Sequence, residues 1–429
     1  MREVSYRKPR NYSSKQTKLR NRLIALLAAV ALVLYGLAGG FSSSESSSGA
    51  ARPNGGNVAD PNIFYTIVFD AGSSGSRIHV YQFTRKSGKL EMLYELFEQV
   101  KPGLSSYASD VNGAVKSIDD LLTHAKNYIP QENWADTPLD LKATAGLRLL
   151  PEAQANAIID GVTKLLKDSP FKVGANGVEI MAGSDEGVFA WMTVNFLLGA
   201  LGGSGIQNTK PTIDLGGGSM QLTFHPKSAS TVEAAPAGYV IKKTLFGEEF
   251  DIYSHSYLGL GLNSAREKLF GGPPPEKTQV TQAQSPCFPS GKKIEYTNAG
   301  STYSVSGDEG GFQGCIGMAR AAVNSFAVDK PKEILNEDIY AFSYYFDKAA
   351  DAGLIDENTG GKLKVGDYKK AAEHACANHD KDEWLCTDLS LITALLESLG
   401  LPDEQSLQVY KKINGGETAW ALGDAFQLI

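Results

Sequence analysis

The sequence contains few metal-binding side chains of the soft type, with only four Cys and six His among its 429 residues. No two of the cysteines have the Cys-x-x-Cys spacing of common structural zinc sites, so a zinc centre is disfavoured. The four are Cys287, Cys315, Cys376 and Cys386. Their even number suits two disulfides, for which sequence alone permits three pairings. The simplest joins nearest neighbours, Cys287 with Cys315 and Cys376 with Cys386.

Long apolar runs without charge, of the length needed to span a membrane, are also scarce in the sequence. One such run covers residues 23–41, whose 19 residues carry no charge and suffice to cross roughly 30 Å of hydrocarbon at about 1.5 Å per residue. It exceeds the usual apolar core of about 7–15 residues in a cleavable signal peptide, which is the alternative interpretation, with small residues at 36–38 as a cleavage site. Basic residues precede the run, so we expect a type II signal-anchor with residues 1–22 in the cytosol.

Positive charge is scarce outside the first 22 residues. That segment holds eight Arg or Lys against Glu3, a net charge of +7, so the rest of the chain carries −14 to reach the total of −7. Because phosphate backbones are neutralised by basic surfaces, an acidic body argues against nucleic-acid binding by the globular part. All four cysteines lie beyond the anchor, in the part expected to meet an oxidising lumen.

Residues 42–60 are rich in Ser and Gly with almost no apolar content, which predicts a flexible stem. Beyond the stem, apolar runs of strand length alternate with helical periodicity, which is typical of an α/β fold. Strands are predicted at 63–69, 78–83, 178–181, 212–214 and 220–224, and helices at 112–128, 151–167, 188–201 and 390–399.

Local signals mark some of these boundaries. Asn112 is a candidate N-cap, Pro151 suits a first helical turn and Gly400 is a candidate helix C-cap. Residues 271–311 are rich in Pro, Gly, Ser and Thr and are predicted to form a surface loop closed by the first disulfide.

A short Asp-Gly motif occurs twice: residues 70–76 read DAGSSGS and residues 214–220 read DLGGGSM, each between two strand-like runs. Glycine allows backbone N–H groups to approach phosphate oxygens closely, and the Asp at the strand end suits a divalent cation. Either copy alone is equally consistent with a Gly-rich hairpin turn. Together they favour a phosphate or nucleotide cleft.

Five segments resemble, in order, the signature segments of the apyrase-type nucleoside di- and triphosphate hydrolases: IVFDAGSSGSRIHVYQF (67–83), KATAGLRLL (142–150), AGSDEGVFAWMTVNFLLG (182–199), TIDLGGGSMQLTF (212–224) and YAFSYYFDKA (340–349). The resemblance implies two RNase H-like lobes of the actin/Hsp70 type with the active site in the cleft between them. Lobe I would comprise residues 61–182 plus about 395–429, and lobe II residues 183–394. One N-terminal anchor followed by a Ser-rich stem resembles the fungal Golgi guanosine diphosphatases, which implies a single-pass type II protein of the Golgi membrane with a lumenal catalytic domain.

Phosphoryl transfer to water requires a phosphate cradle, a metal and an aligned water. The candidate phosphate- and nucleotide-binding residues are Gly72, Ser73, Ser74, Gly75, Ser76, Arg77, Gly216, Gly217, Gly218, Ser219 and Met220. Asp70 and Asp214 would hold Ca²⁺, Mg²⁺ or Mn²⁺, partly through water. Arg77 could equally form a surface ion pair.

By resemblance, Glu186 is the general base, since it matches the family's catalytic Glu in residues 183–187, whereas its neighbour Asp185 does not. The resemblance also implies that Ser219 and Gln221 orient the attacking water and that Thr144 contacts that water or the phosphate. Tyr344 and Tyr345, with Phe346, are candidates to stack on the base, although aromatic clusters more often pack in cores.

The sequence therefore predicts a metal-dependent hydrolase that converts nucleoside diphosphate, chiefly GDP and also UDP, to the monophosphate and phosphate. By resemblance, this would remove the diphosphate product of sugar-nucleotide use during glycosylation. Two alternatives stay open: a broad apyrase that also cleaves triphosphates, and a non-catalytic nucleotide-binding or chaperone-like module. The expected partners are the nucleotide and, through the anchor, a membrane, with no nucleic acid; the oligomeric state is left open.

Overall fold

The structure is a computed structural model and describes residues 62–429 except 87–88, 202–205, 246–247, 275–279, 299 and 379–381. The predicted cytosolic tail, signal-anchor and stem lie outside the described residues. Among the helices of the described ranges, none is both long and apolar enough to cross a membrane.

The strands of the described residues are numbered in chain order. They are β1 Ile63–Ala71, β2 Ser76–Lys86, β3 Lys89–Val100, β4 Pro138–Ala143, β5 Lys172–Ile180, β6 Thr212–Leu215, β7 Ser219–Phe224, β8 Val240–Leu245, β9 Glu248–Leu258, β10 Val280–Ser285, β11 Lys293–Asn298, β12 Ser301–Gly307, β13 Ile339–Ser343, β14 Gly361–Lys364, β15 Ser406–Val409, β16 Lys412–Ile413 and β17 Gly416–Glu417.

The α-helices are numbered in the same way. They are α1 Val111–Tyr128, α2 Ala145–Arg148, α3 Glu152–Lys167, α4 Gly183–Leu197, α5 Ala229–Ala234, α6 Leu262–Leu269, α7 Gly311–Asn324, α8 Tyr344–Asp351, α9 Val365–Asn378, α10 Leu385–Ser398 and α11 Ala421–Ala425.

The smaller of the two main sheets has five strands in the order β3-β2-β1-β4-β5. β1 is its central strand, antiparallel to β2 and parallel to β4. Its residues from Thr66 to Ala71 are all buried, as expected for a strand covered on both faces. The apolar faces of α1 and α3 complete the core on one side of this sheet.

The larger sheet has seven strands in the order β14-β15-β13-β6-β7-β9-β8. β6 is antiparallel to β7 on one side and parallel to β13 on the other. A large apolar core lies beneath it, with contributions from α6, α7, α9 and α10.

Both sheets are built on the same plan. In each, antiparallel strands follow on one side of the strand that carries the Asp-Gly motif, and strands parallel to it continue the sheet on the other side. In the smaller sheet the antiparallel strands lie in chain order, whereas in the larger sheet β9 lies between β7 and β8. Asp70 is therefore in β1 and Asp214 in β6, at equivalent positions of the two sheets. The presence of two similar sheets explains why the Asp-Gly motif occurs twice in the sequence.

A third apolar cluster joins the two halves. It contains Val68 and Tyr81 from the smaller sheet, Phe342 from the larger sheet, and side chains of α4 and α11. The terminal helix α11 contacts β1, β2 and α4. β15, by contrast, pairs with β13 and β14 in the larger sheet. Residues 406–409, which lie in the segment predicted for lobe I, are thus part of the larger sheet.

The structure bears on the predicted disulfides and on the predicted caps of two helices. Both nearest-neighbour disulfides are confirmed, Cys287–Cys315 and Cys376–Cys386. Gly400 follows α10 with φ +77°, as a helix C-cap signal requires. The N-cap prediction was wrong: α1 is capped by Asp110, whose Oδ1 accepts a 3.0 Å hydrogen bond from the N–H of Gly113.

Residues 271–311, expected to form a surface loop, instead contain a small sheet. β10, β12 and β11 form a three-stranded sheet there, and Tyr303 and Val305 of β12 are completely buried. Both half-cystines of the first disulfide are also buried in the core of the larger lobe. Composition misled the prediction because the apolar residues of this segment alternate with polar ones along short strands.

Candidate active site

A cavity of about 360 Å³ opens where the two Asp-Gly loops face each other. Residues from the first loop, including Ser73 and Ser74, and from the second loop, Gly216 and Gly217, line it. A Cβ atom on Gly217 would collide with the Ser73 hydroxyl and lie 3.0 Å from Asn263 Nδ2, so the two loops touch. The absence of a side chain at residue 217 is what allows this approach.

In the first loop, Asp70 is buried and its Oδ2 accepts a 2.8 Å hydrogen bond from the Arg77 guanidinium. Its other oxygen, Oδ1, is also buried and finds no hydrogen-bond partner among the described residues. Arg77 lines the cavity, so the predicted ion pair exists and lies within the cleft. Gly75 and Ser76 turn away into the start of β2, where Ser76 is completely buried.

The second loop is held from behind by the segment that enters α6. The carbonyls of Gly216, Gly217 and Gly218 accept hydrogen bonds of 2.8–3.1 Å from backbone N–H groups of residues 259–264. Carbonyls engaged in this way do not face an anion in the cleft. Gly218 packs against α2, where an added Cβ would be 2.7 Å from the Ala145 Cβ.

Asp214 is buried at the carboxyl end of β6 and lines the cavity. Burial raises its pKa to about 6, and the hydrogen bond from Ser343 partly opposes the shift. The negative charge of Asp70 also raises the pKa of Asp214, and the positive charge of Arg77 lowers it. Like Asp70, Asp214 has a buried Oδ1 without a hydrogen-bond partner in the described ranges. Two acceptor oxygens of this kind, one from each lobe, suit a hard cation.

Glu186 lies in the first turn of α4, buried at the cavity wall. Its Oε2 accepts hydrogen bonds from Arg148, the last residue of α2, and from Gln221 Nε2 at 3.2 Å. Burial raises the pKa of Glu186 to about 7, Arg148 lowers it, and the carboxylates of Asp214 and Asp70 raise it. A carboxyl group with this pKa is suited to proton transfer near neutral pH.

Ser219 and Gln221 are buried on β7, behind Glu186. Gln221 Nε2 lies 2.8 Å from Ser219 Oγ and 2.9 Å from Ser256 Oγ, while Gln221 Oε1 has no partner in the described part of the chain. Thr144 lines the cavity at the N-cap position of α2. The predicted catalytic residues are thus brought together from three different elements, α4, β7 and the N-cap of α2.

Two of the predicted nucleotide contacts are wrong as placed by the structure. Tyr345 is completely buried, and its hydroxyl lies 3.3 Å from Sδ of the equally buried Met220, within the core of the larger lobe. Neither side chain can reach a nucleotide without leaving that core. Tyr344 and Phe346 do line the cavity. Tyr344 is half-buried, whereas Phe346 is buried and also belongs to the core of the larger lobe.

Two residues close in sequence to the site residues have partners outside the site. Asp185 pairs with Lys243 at 2.5 Å and is not part of the Glu186 site. His79 is completely buried, with Nδ1 2.8 Å from Glu95 Oε1.

Sequence reasoning missed several residues of the site. Arg148 falls inside one of the quoted segments, but nothing local shows that it meets Glu186, 38 positions away. Asp347, Lys411, Glu417 and Trp420 also line the cavity. The last three lie near the C-terminus, in a part of the chain where no site residue was predicted.

The duplicated sheets, the paired loops and the buried carboxylates define a two-lobed α/β nucleotide phosphohydrolase of the actin/Hsp70-like type. The same fold occurs in a nucleoside triphosphate hydrolase from Neospora caninum, with a TM-score of 0.60 at 13% identity over 85% of this chain and 92% of that one.

The chain belongs to the GDA1/CD39 (nucleoside phosphatase) family, which it matches over residues 57–429. It is 41% identical to ectonucleoside triphosphate diphosphohydrolase 6 of Mus musculus over 94% of this chain and 90% of that protein. It is 43% identical to the nucleoside diphosphate phosphatase ENTPD5 of Homo sapiens, over 85% of this chain and 87% of that one. The protein is therefore an enzyme of this phosphatase family.

Proposed function

We propose that this enzyme hydrolyses nucleoside diphosphates, chiefly GDP and also UDP, to the monophosphate and phosphate. The observation that carries the proposal is the meeting of Glu186, Asp70 and Asp214 around the cavity where the two glycine loops touch. The name of the human relative, a nucleoside diphosphate phosphatase, supports the diphosphate as substrate.

A divalent cation, Ca²⁺, Mg²⁺ or Mn²⁺, fits the residues present. Asp70 Oδ1 and Asp214 Oδ1 are buried carboxylate oxygens that lack a hydrogen-bond partner in the described part of the chain, and such oxygens are costly unless a ligand satisfies them. When bound, the cation would neutralise phosphate charge. Chelation should therefore abolish turnover, and readdition of each ion should identify the preferred one.

The residues divide the chemistry among them. The loop backbones with Ser73 and Ser74 bind the phosphate oxygens, and Arg77 balances their charge. Glu186 accepts a proton from water as the water oxygen bonds to the terminal phosphorus and the bridging P–O bond breaks. The electron pair leaves on the nucleoside monophosphate. Gln221 and Ser219 hold the Glu186 side of the site in place through their hydrogen bonds.

Replacement of Glu186 tests this role directly. In Glu186→Gln, loss of the base should reduce kcat by about 10²–10⁴-fold while nucleotide binding persists, because the phosphate loops are unchanged. Phosphate release and equilibrium nucleotide binding measure the two effects. Asp185→Asn is the matched control, since Asp185 pairs with Lys243 and should leave kcat near the wild-type value. Unchanged turnover in Glu186→Gln would contradict the proposal.

A substrate panel separates the proposed diphosphatase from its alternatives. Phosphate release from GDP, UDP, ADP and GTP at a fixed metal concentration should favour GDP and UDP. Comparable release from GTP would instead indicate a broad apyrase. Nucleotide binding without any turnover would indicate a non-catalytic binding module.

We also propose that residues 23–41 form a type II signal-anchor that places the enzyme in the Golgi lumen, with residues 42–60 as its stem. The uncharged run, its basic flank and the two disulfides support this arrangement. The similar pairing around β1 and β6, antiparallel on one side and parallel on the other, likewise supports two RNase H-like lobes with the site between them. Full-length protein should resist alkaline extraction from membranes, and its catalytic domain should be protease-sensitive only after the vesicles are opened.

A further inference from the structure

Three charged side chains in the cavity are not used by the phosphate chemistry. Asp347, Lys411 and Glu417 all line it. The catalytic carboxylates are engaged, Asp70 with Arg77, Asp214 with Ser343 and Glu186 with Arg148. By contrast, the side chains of Asp347, Lys411 and Glu417 form no ion pair or side-chain hydrogen bond with any described residue. They are therefore available to a ligand.

Asp347 and Lys411 line the same cavity as the aromatic side chains of Tyr344 and Phe346. Asp347 lies in the first turn of α8, directly after the cavity-lining side chains of Tyr344 and Phe346. Burial raises the pKa of Asp347, and the positive charge of Lys411, the residue before β16, is the strongest of the influences that oppose this shift. An aromatic wall offers a stacking surface for a nucleobase, and polar groups beside such a wall meet the edge of that base.

The two groups have a defined hydrogen-bonding pattern. A carboxylate only accepts hydrogen bonds and an ammonium only donates them. Guanine presents a carbonyl oxygen (O6), a ring N–H (N1) and an amino group along one edge, and uracil presents two carbonyl oxygens around a ring N–H (N3). Adenine and cytosine present the reverse, an amino group beside an unprotonated ring nitrogen, so each group would meet a like partner.

We infer that Asp347 and Lys411 select the base: Asp347 accepts hydrogen bonds from the ring N–H and amino group of guanine, and Lys411 donates to the adjacent carbonyl oxygen. Uracil satisfies the Lys411 contact and one Asp347 oxygen, and adenine satisfies neither. This inference rests on the proposed function, because it concerns the base of the same nucleoside diphosphate.

Asp347→Asn gives a test based on gain of activity. The amide replaces one acceptor by a donor, which matches the second carbonyl of xanthine and uracil and opposes the amino group of guanine. The ratio of kcat/KM for xanthosine diphosphate (XDP) to kcat/KM for GDP should rise about tenfold or more, and so should the ratio for UDP to GDP. A misfolded variant cannot produce such a reversal. Asp351→Asn, on the same helix and paired with Lys348 on its surface, is the matched control and should keep the wild-type ratios.

Lys411→Met is the second test, and its exposed position makes a folding defect unexpected. Loss of the donor should lower kcat/KM for GDP and UDP by about tenfold and leave that for ADP unchanged, so that discrimination against ADP shrinks. Lys412→Met, one residue further on and also exposed, should behave as wild type.

The outcomes separate this inference from the proposed function. If wild-type enzyme hydrolyses GDP and UDP but both variants change every diphosphate by the same factor, the base assignment is overturned and the diphosphatase stands. If wild-type enzyme releases no phosphate from any diphosphate, the proposed function itself fails. Wild-type preference for ADP would also overturn the base assignment.

Discussion

The Glu186 carboxylate lies between two opposed electrostatic influences. Burial, which is the larger, raises its pKa to about 7, while the Arg148 guanidinium in contact with it favours the charged form. The carboxylates of Asp214 and Asp70 act with burial. A base in this environment is neutral below its pKa and active above it, so the pH dependence of catalysis reports on the pair.

We expect kcat/KM to fall as the pH drops below about 7, because protonated Glu186 cannot accept the proton of the attacking water. In Arg148→Met the charge that lowers the pKa is removed, so the pKa rises and the acid limb of the profile moves to higher pH. Arg148→Lys keeps the charge and should leave the limb near its wild-type position. A pH–rate profile of the three proteins checks this, and an acid limb that stays in place in Arg148→Met would contradict it.

At the scale of elements, the terminal helix α11 is attached to the smaller lobe beside a cluster of charges. Asp424 of α11 is buried, with Oδ2 unpartnered among the described residues. Its pKa is raised to about 7 by burial and by Asp140, is lowered by Lys142 and is raised by Glu179. Lys142 itself lies 3.0 Å from both Asp140 and Glu179.

This cluster predicts a pH-dependent stability. Asp424 ionises near pH 4 in the unfolded chain, so between about pH 4 and pH 7 the folded state binds more protons and stability falls as the pH rises. Asp424→Asn removes that loss. Its free energy of unfolding relative to wild type should be about 1–2 kcal/mol more favourable at pH 8 than at pH 5. Denaturant melts at the two pH values test it; an equal offset at both would be evidence against the role of this carboxyl group.

The two disulfides should differ in their contribution to stability. Cys287–Cys315 closes a loop of 28 residues and Cys376–Cys386 one of 10. Since a longer loop loses more entropy on cross-linking, removal of the first pair by two Cys→Ala changes should cost more, about 3 kcal/mol against a smaller loss for the second. Chemical denaturation of the two double variants measures this. A larger loss from the second pair would show that the loop-entropy argument does not apply here.

At the scale of the whole molecule, catalysis depends on the approach of two lobes with separate cores. The approach occurs at Gly217, which touches Ser73 of the opposite loop. Two further connections, the apolar cluster around α11 and the Asn414 side chain, which donates a 2.7 Å hydrogen bond to the Leu197 carbonyl, join distant parts of the chain.

Gly217→Ala should separate the loops, because the new methyl group would overlap the Ser73 hydroxyl. We expect at least about a tenfold loss of kcat/KM, the order of effect that misplacement of reacting groups produces. Gly216→Ala is the matched comparison: its Cβ would meet only the Ser219 carbonyl oxygen, at an ordinary 3.4 Å, and should cost less. Steady-state kinetics of both variants decide the point, and equal losses would rule out the interlobe contact as the cause.

Much of the architecture could be predicted from local patterns. Buried strands such as β1 are nearly continuous apolar runs, and an Asp followed by glycines marks where such a strand ends at a phosphate loop. The disulfide pairing also followed from proximity along the chain. The α1 cap was predicted wrongly because Asp110 and Asn112, two candidate capping residues, lie close together. Residues 271–311 were predicted wrongly because their apolar residues alternate with polar ones along short strands.

The sequence by itself determined which residue types meet phosphate, because the glycines, serines and Asp residues of each loop are contiguous. Only the tertiary structure decided which side chains face the cleft and which the core. It buried Tyr345 against Met220, joined Arg148 to Glu186 and placed Lys411 in the same cavity as Asp347. These pairings span between 38 and 125 positions, over which the packing of two lobes, and no local periodicity, sets the distance between side chains.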